Sequence, residues 1–228
     1  MKIAEKICWL TVACALWLTC DLYAFDKDTS ALQSALQNGR LEDAVQYVNQ
    51  AADEAERKGR ASKALGISAG LGHTAHCKRF LALGADPHFR AGKFDLAIIR
   101  AIKGNHYETA AFLAENGTDL YGYKSDIGKA AAGAGMIDFV KSHLSKVKWF
   151  GEHDKNIMLK SAILGGQGEM VRYLLSQGAN PYEKLRDRFR IFCFAFHSKP
   201  APEKGRKDVI KALLDHKVDI DRPDFDGC

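Results

Sequence analysis

The sequence lacks any apolar run long enough to cross a membrane as a permanent helix. Its longest, Ile7 to Leu18, is twelve residues, against the roughly 20 that a spanning helix needs. It also lacks a dominant charge: 33 Lys and Arg stand against 28 Asp and Glu, a mild excess of five. Cysteine is sparse beyond the first twenty residues, where only Cys77, Cys193 and Cys228 remain. An odd set of that kind cannot form a closed disulfide framework. What is present is a chain of 228 residues, 46% apolar and 27% charged, long enough to bury roughly 70% of its unfolded surface in a real core.

Residues 1–24 differ from the rest. A short start bearing Lys2 and Lys6 precedes the apolar run, and "LYA" before Phe25 offers a small-residue cleavage point. This is the pattern of a secretory signal peptide, and it predicts export of residues 25–228 to a periplasmic or secreted location. A lipid anchor through Cys20 is the second reading, disfavoured because Thr19 sits where such sites carry Gly, Ala or Ser.

The remainder repeats itself. Gly39, Gly72, Gly104, Gly135, Gly166 and Gly205 are separated by 33, 32, 31, 31 and 39 residues, a period that signals stacked units. After each glycine come apolar positions at helical spacing: Ala44, Tyr47, Val48; Cys77, Phe80, Leu81; Thr109, Phe112, Leu113; Val140, His143, Leu144; Val171, Leu174, Leu175; and Ile210, Leu213, Leu214. The i, i+3, i+4 pattern puts each trio on one face that must be buried, and only Thr109 and His143 break its apolarity. A second series, "LGAD" at Gly84, "NGTD" at Gly117, "QGAN" at Gly178 and a degraded "HKVD" at Lys217, marks where these helices end, because glycine supplies the left-handed cap and Asp or Asn the following turn. Each unit therefore reads as helix, turn, helix, glycine cap and extended loop.

With "GLGHTAHCKRFLALGADP" (Gly70–Pro87) and "GGQGEMVRYLLSQGANP" (Gly165–Pro181) in this order, the chain resembles the ankyrin-repeat family over roughly residues 30–228. The resemblance implies an all-α solenoid of about six repeats, near 30–54, 60–87, 93–120, 125–150, 156–181 and 189–220, with a loop insertion at 197–207 inside a single domain, 25–228. The family's Thr-Pro-Leu-His start of the first helix is nowhere intact: "FDLAII", "SDIGKA", "NIMLKS" and "RIFCF" stand in its place, so the repeats are degenerate. "DRPDFDGC" resembles the opening of another repeat, leaving a natural end and a shortened product both open.

Other chemistry is weak beside this pattern. "HTAHC" groups His73, His76 and Cys77 within one helical turn but supplies no fourth metal ligand. "GLGHTA" matches a dinucleotide fingerprint only formally, since a helical stretch rather than a strand precedes it. Stacking places Cys77 and Cys193 several repeats apart, too far for a disulfide or a shared catalytic site, while a Cys193–Cys228 bond remains conceivable. Asn116 in "NGT" reads as a turn residue rather than a glycosylation acceptor. No catalytic residues, metal, cofactor, small-molecule substrate or nucleic acid are expected, because no nucleophile and base or paired carboxylates converge within a repeat and no nucleic-acid-binding fold is recognisable.

The loops after the glycine caps are more informative. They carry Phe89, Tyr121, Tyr123, Trp149, Phe150 and Tyr182, interleaved with cations that include Arg90, Arg186 and Arg188. Trp, Tyr and Arg dominate binding hot spots, although one aromatic per loop also suits packing between repeats. From Lys141 to Lys211 fifteen Lys or Arg face seven Asp or Glu, which favours an acidic partner. The expectation is a protein-binding module using its concave face and these loops, either an adaptor or an immunity-type inhibitor covering a toxin in the same compartment.

Overall fold

A computed structural model describes residues 29–90, 96–145, 151–183, 191–197 and 203–220. The described elements are helices in antiparallel pairs. They are α1 (29–37) with α2 (Leu41–Asn49), α3 (Glu54–Gly70) with α4 (Thr74–Ala82), and α5 (Ala97–Lys103) with α6 (Tyr107–Glu115). Then come α7 (Lys124–Ala134) with α8 (Ile137–Phe139), and α9 (Glu152–Leu164) with α10 (Gly168–Ser176). A 3-10 turn (Ile191–Cys193) leads into α11 (Phe194–His197), which pairs with α12 (Glu203–Asp215). First helices pack on first helices (α3 on α5, α5 on α7, α7 on α9, α9 on α11) and second helices on second helices, so two parallel rows make up the solenoid.

The turns within pairs show why the glycines recur. Gly39, Gly72, Gly135 and Gly166 all have φ between +70° and +75°, the left-handed region that costs other residues about 1–2 kcal/mol. In the third pair Gly104 stays right-handed at φ −78° and Asn105 takes the left-handed position at +58°. Asn tolerates that region because its short side chain bonds locally. The caps after second helices follow the expected series, with Gly84, Gly117 and Gly178 at positive φ and Lys217 at +53°.

The last pair departs from the expected register. Gly205 is no turn residue: it lies within α12, which begins at Glu203, so residues 203–207 of the expected insertion are helical. Here Val209, Ala212 and Leu213 are buried, whereas Leu214 is 50% exposed. Gly205 sits there because a Cβ would come within 2.9 Å of the Gly166 carbonyl oxygen on the neighbouring pair.

Elsewhere the second helices bury the positions that the period picks out, including Phe80, Leu113, Leu144 and Leu174, each side chain contributing about 1.5–3 kcal/mol. The two polar exceptions have separate solutions. Thr109 Oγ1 lies 2.7 Å from Thr74 Oγ1 of the preceding pair. His143 stacks on Phe139 at 4.9 Å, and here α8 continues as a π-turn, Val140–Leu144, closed by the Ser145 N–H donating to the Val140 carbonyl at 2.9 Å.

Small residues bring the first helices unusually close. A Cβ on Gly165 would meet the Gly133 carbonyl oxygen at 2.2 Å, while Gly66 and Gly70 of α3 make room for the Arg100 side chain of α5. The second-helix row is packed with Phe80, Phe139 and other large side chains.

The loops are tied by one recurring bond. The equivalent backbone N–H groups of Asp86, Asp119, Asn180 and Asp219 each donate to a side chain: Ser62 Oγ at 2.8 Å, His88 Nε2 at 2.9 Å, Asn156 Oδ1 at 2.6 Å and Tyr182 Oη at 2.7 Å. Ser62 and Asn156 come from the same pair's first helix; His88 and Tyr182 come from the preceding loop. A buried backbone donor without such a partner would cost about 1–3 kcal/mol.

Candidate partner-binding surface

The loop candidates separate into distinct environments. Tyr121 is 57% exposed, with Lys124 Nζ 5.7 Å from its ring centre. Its turn is fixed by the Gly122 N–H donating to Asp119 Oδ1 at 2.8 Å, and a Cβ on Gly122 would collide with that carboxylate. Tyr123 is half-buried, stacked on His88 at 5.7 Å, with the Arg90 guanidinium 5.0 Å from its ring and 3.5 Å from Asp126. Phe89 is half-buried. Tyr182 is half-buried as well, edge-on to Phe192 at 5.9 Å with its hydroxyl capping the next loop. The structure thus brings Arg90, Tyr121 and Tyr123 into two adjoining loops and puts Tyr182 in the joint between pairs. Trp149, Phe150, Arg186 and Arg188 lie outside the described residues.

A second feature escaped the sequence reading. The last eight residues of α3, α7 and α9, together with all of α5, contain Lys63, Arg100, Lys103, Lys129 and Lys160 and no Asp or Glu. None of the five is buried. Arg100 lies across Gly66 and Gly70, and Lys160 Nζ sits 4.4 Å from the Phe194 ring centre. Arg100 and Lys103 stand in the last turn of α5, where a cation interacts favourably with the helix dipole. The signal available in sequence was "AIIRAIK", a helix whose only charges are positive.

The first turn of α9, in the half away from Lys160, carries Asp154, a buried carboxylate. Burial acts to raise its pKa, but hydrogen bonds from Lys124 Nζ (3.1 Å), Ser125 Oγ (3.0 Å) and the Gly151 N–H (3.2 Å), with the charge of Lys124, hold it below the usual range.

The remaining clusters do not assemble reactive chemistry. His73 and His76 rings meet edge to face at 4.6 Å, and Cys77 beside them is fully buried, its thiol pushed up to about 12 by burial. A protonated core thiol is neither a metal ligand nor a nucleophile. Ser142 Oγ lies 2.7 Å from His143 Nδ1, and His143 Nε2 lies 3.6 Å from Glu115, but the Ser142 hydroxyl donates its proton to the Asp138 carbonyl at 2.6 Å. That histidine is therefore not placed to deprotonate it. Among the described residues no helix is long and apolar enough to cross a membrane.

No family model matches the sequence, and no curated protein does. The fold does have solved counterparts: the crystal structure of the human ASB11 ankyrin repeat domain is similar with a TM-score of 0.62 at 18% identity, over 86% of this chain and 88% of that one. The two-row helical stack is thus an ankyrin-repeat solenoid. Its repeats, degenerate in sequence, share recurring left-handed turn and cap residues along the chain.

Proposed function

We infer that the protein is an exported interaction module that binds an acidic segment of another protein along its first-helix row and the adjoining loops around Tyr121. The observation that carries this reading is the row of five cations that stacking brings together on neighbouring first helices, Lys63, Arg100, Lys103, Lys129 and Lys160, of which Lys129 also pairs with Asp126 at 3.7 Å. Complementary potential steers encounter and fixes register. The Gly122 turn and the loop-to-loop hydrogen bonds hold the surface in one shape, so little ordering entropy is lost on association. Export is supported by the leader.

The test is affinity capture from the native compartment with residues 25–228 as bait. It is compared with Lys129→Glu/Lys160→Glu and with Arg90→Glu/Tyr121→Ala, each checked for folding by circular dichroism. A partner retained by the wild type, weakened by either variant and released by salt supports the reading. Identical capture by wild type and both folded variants sinks it. One stoichiometric partner at nanomolar affinity would identify a dedicated inhibitor of the immunity kind; several weaker ones would identify an adaptor.

A further inference from the structure

The four loop N–H groups tied to side chains do not have equivalent acceptors. Ser62 Oγ, Asn156 Oδ1 and Tyr182 Oη accept at any pH near neutrality. His88 Nε2, which takes the Asp119 N–H at 2.9 Å, accepts only while its imidazole is neutral. Histidine is the side chain whose charge ordinarily changes between about pH 5 and 8. We propose that His88 is a pH-sensitive latch on the partner-binding surface: the neutral ring holds the Tyr121 loop in register with Arg90, and its protonation releases that loop and weakens binding of an acidic partner. The effect on binding rests on the reading of this surface given above; the latch itself does not.

The bond fixes the tautomer. A backbone N–H can only donate, so Nε2 bears no proton and the ring hydrogen is on Nδ1, 3.5 Å from Asp86 Oδ1. The same carboxylate oxygen accepts the His88 N–H at 2.9 Å, which anchors the residue to its own loop. A proton added at Nε2 sets two donors face to face. Rotating the ring does not cure this, because an imidazolium donates from both nitrogens. The His88 side chain is 35% exposed, so the proton can arrive from solvent without unfolding.

The charges around the ring set the direction of the switch. From its own loop Asp86 attracts an imidazolium, whereas Arg90 repels it: the guanidinium lies 5.0 Å from the Tyr123 ring on which His88 stacks at 5.7 Å. From α3, Lys58 approaches Asp86 at 4.0 Å and offsets part of that attraction. On the facing loop and α7, Asp119 accepts the Gly122 N–H, Asp126 pairs with Arg90 and Lys129, and Lys124 pairs with Asp154. Asp86 therefore keeps the charged ring on loop 86–90 while the Asp119 N–H is given up. The bond is present above the titration and lost as pH falls through it.

That bond joins the two parts of the surface. Arg90 stands in the loop after α4, Tyr121 and Tyr123 in the loop after α6. The other bonds of the Tyr121 turn, from the Gly122 N–H to Asp119 Oδ1 and from the Tyr123 N–H to the Asp119 carbonyl, are internal to its own loop. They keep the turn's shape; its register on the neighbouring loop rests on His88 and the rings stacked beside it.

The experiment follows the amide and imidazole signals of the isotope-labelled full chain by NMR from about pH 8 to 5. The comparison is His88→Gln, whose side-chain carbonyl is an acceptor at every pH in that range. The Asp119 and Gly122 amides should move together with the His88 ring in the wild type and stay in place in the variant. Amides that do not follow the ring, or that move equally in His88→Gln, overturn the latch. Binding is read with a rhodamine-labelled oligo-aspartate peptide, whose carboxylates stay largely ionised over the range. On acidification its affinity should fall at least about fivefold further for the wild type than for His88→Gln. Equal falls, with the amides titrating as expected, overturn the control of binding. A peptide that binds neither protein at any pH overturns the acidic-partner reading and the control of binding together, and the latch is then decided by the amides.

Discussion

His106 places its Nε2 3.1 Å from the carbonyl oxygen of Gly70 in the preceding repeat. The ring fills a slot walled by Gly72 and Gly104, where added Cβ atoms would come within 2.5 Å of it. Gln167 repeats the arrangement two pairs later, donating to the Gly133 carbonyl at 3.2 Å beside Gly135. The turn glycines therefore serve two needs at once, a left-handed backbone and room for a side chain that seals one pair to the next.

Substituting these glycines should separate the two needs. Gly39→Ala, with φ +71° and nothing within 4 Å of the new Cβ, should cost about 1 kcal/mol in urea denaturation. Gly72→Ala adds the collision with His106 and should cost on the order of 3 kcal/mol. Equal losses would show that the slot is not filled as described.

Acid should weaken the joint between α7 and α9. The Asp154 pKa is lower folded than the unfolded value of about 3.9, so its contribution is complete above the unfolded value and disappears as pH falls through the folded one. Asp154→Asn should be less stable at neutral pH and show a shallower loss of stability below about pH 4. Parallel curves for the two proteins would contradict the assignment.

The loop tyrosines should behave oppositely. Tyr182→Phe removes the acceptor of the Asp219 N–H and should lower stability by about 1 kcal/mol. Tyr121→Ala, at an exposed tip, should change stability by less than about 0.5 kcal/mol while weakening partner binding.

Cys77 should resist alkylation at pH 8 in the folded protein, being buried with its thiol pushed up to about 12. It should react as soon as denaturant opens the fourth helix. Rapid modification without denaturant would place the side chain outside the core.

The period was legible because left-handed turns and caps leave few alternatives to glycine. It misled where another residue met the same backbone demand, as Asn105 does, and where a glycine answered a different one, as Gly205 does by admitting the Gly166 carbonyl. The fates of Tyr121 and Tyr182 were not legible, since both stand two residues after the Asp or Asn of equivalent loops. Tyr182 caps the next loop through its hydroxyl, whereas Tyr121 stands at an exposed tip. Nor could the loop bonds be found by pattern, because Ser62, His88, Asn156 and Tyr182 share no residue type. The cation row was hidden because its members are neighbours only after stacking.

The two long-reaching caps, His88 onto Asp119 and Tyr182 onto Asp219, join the second pair to the third and the fifth to the sixth. The fourth pair, carrying the π-turn, stands between these couples. Drawn apart from its two ends, such a molecule would not shed single repeats like beads from a thread: it would part in doubled links.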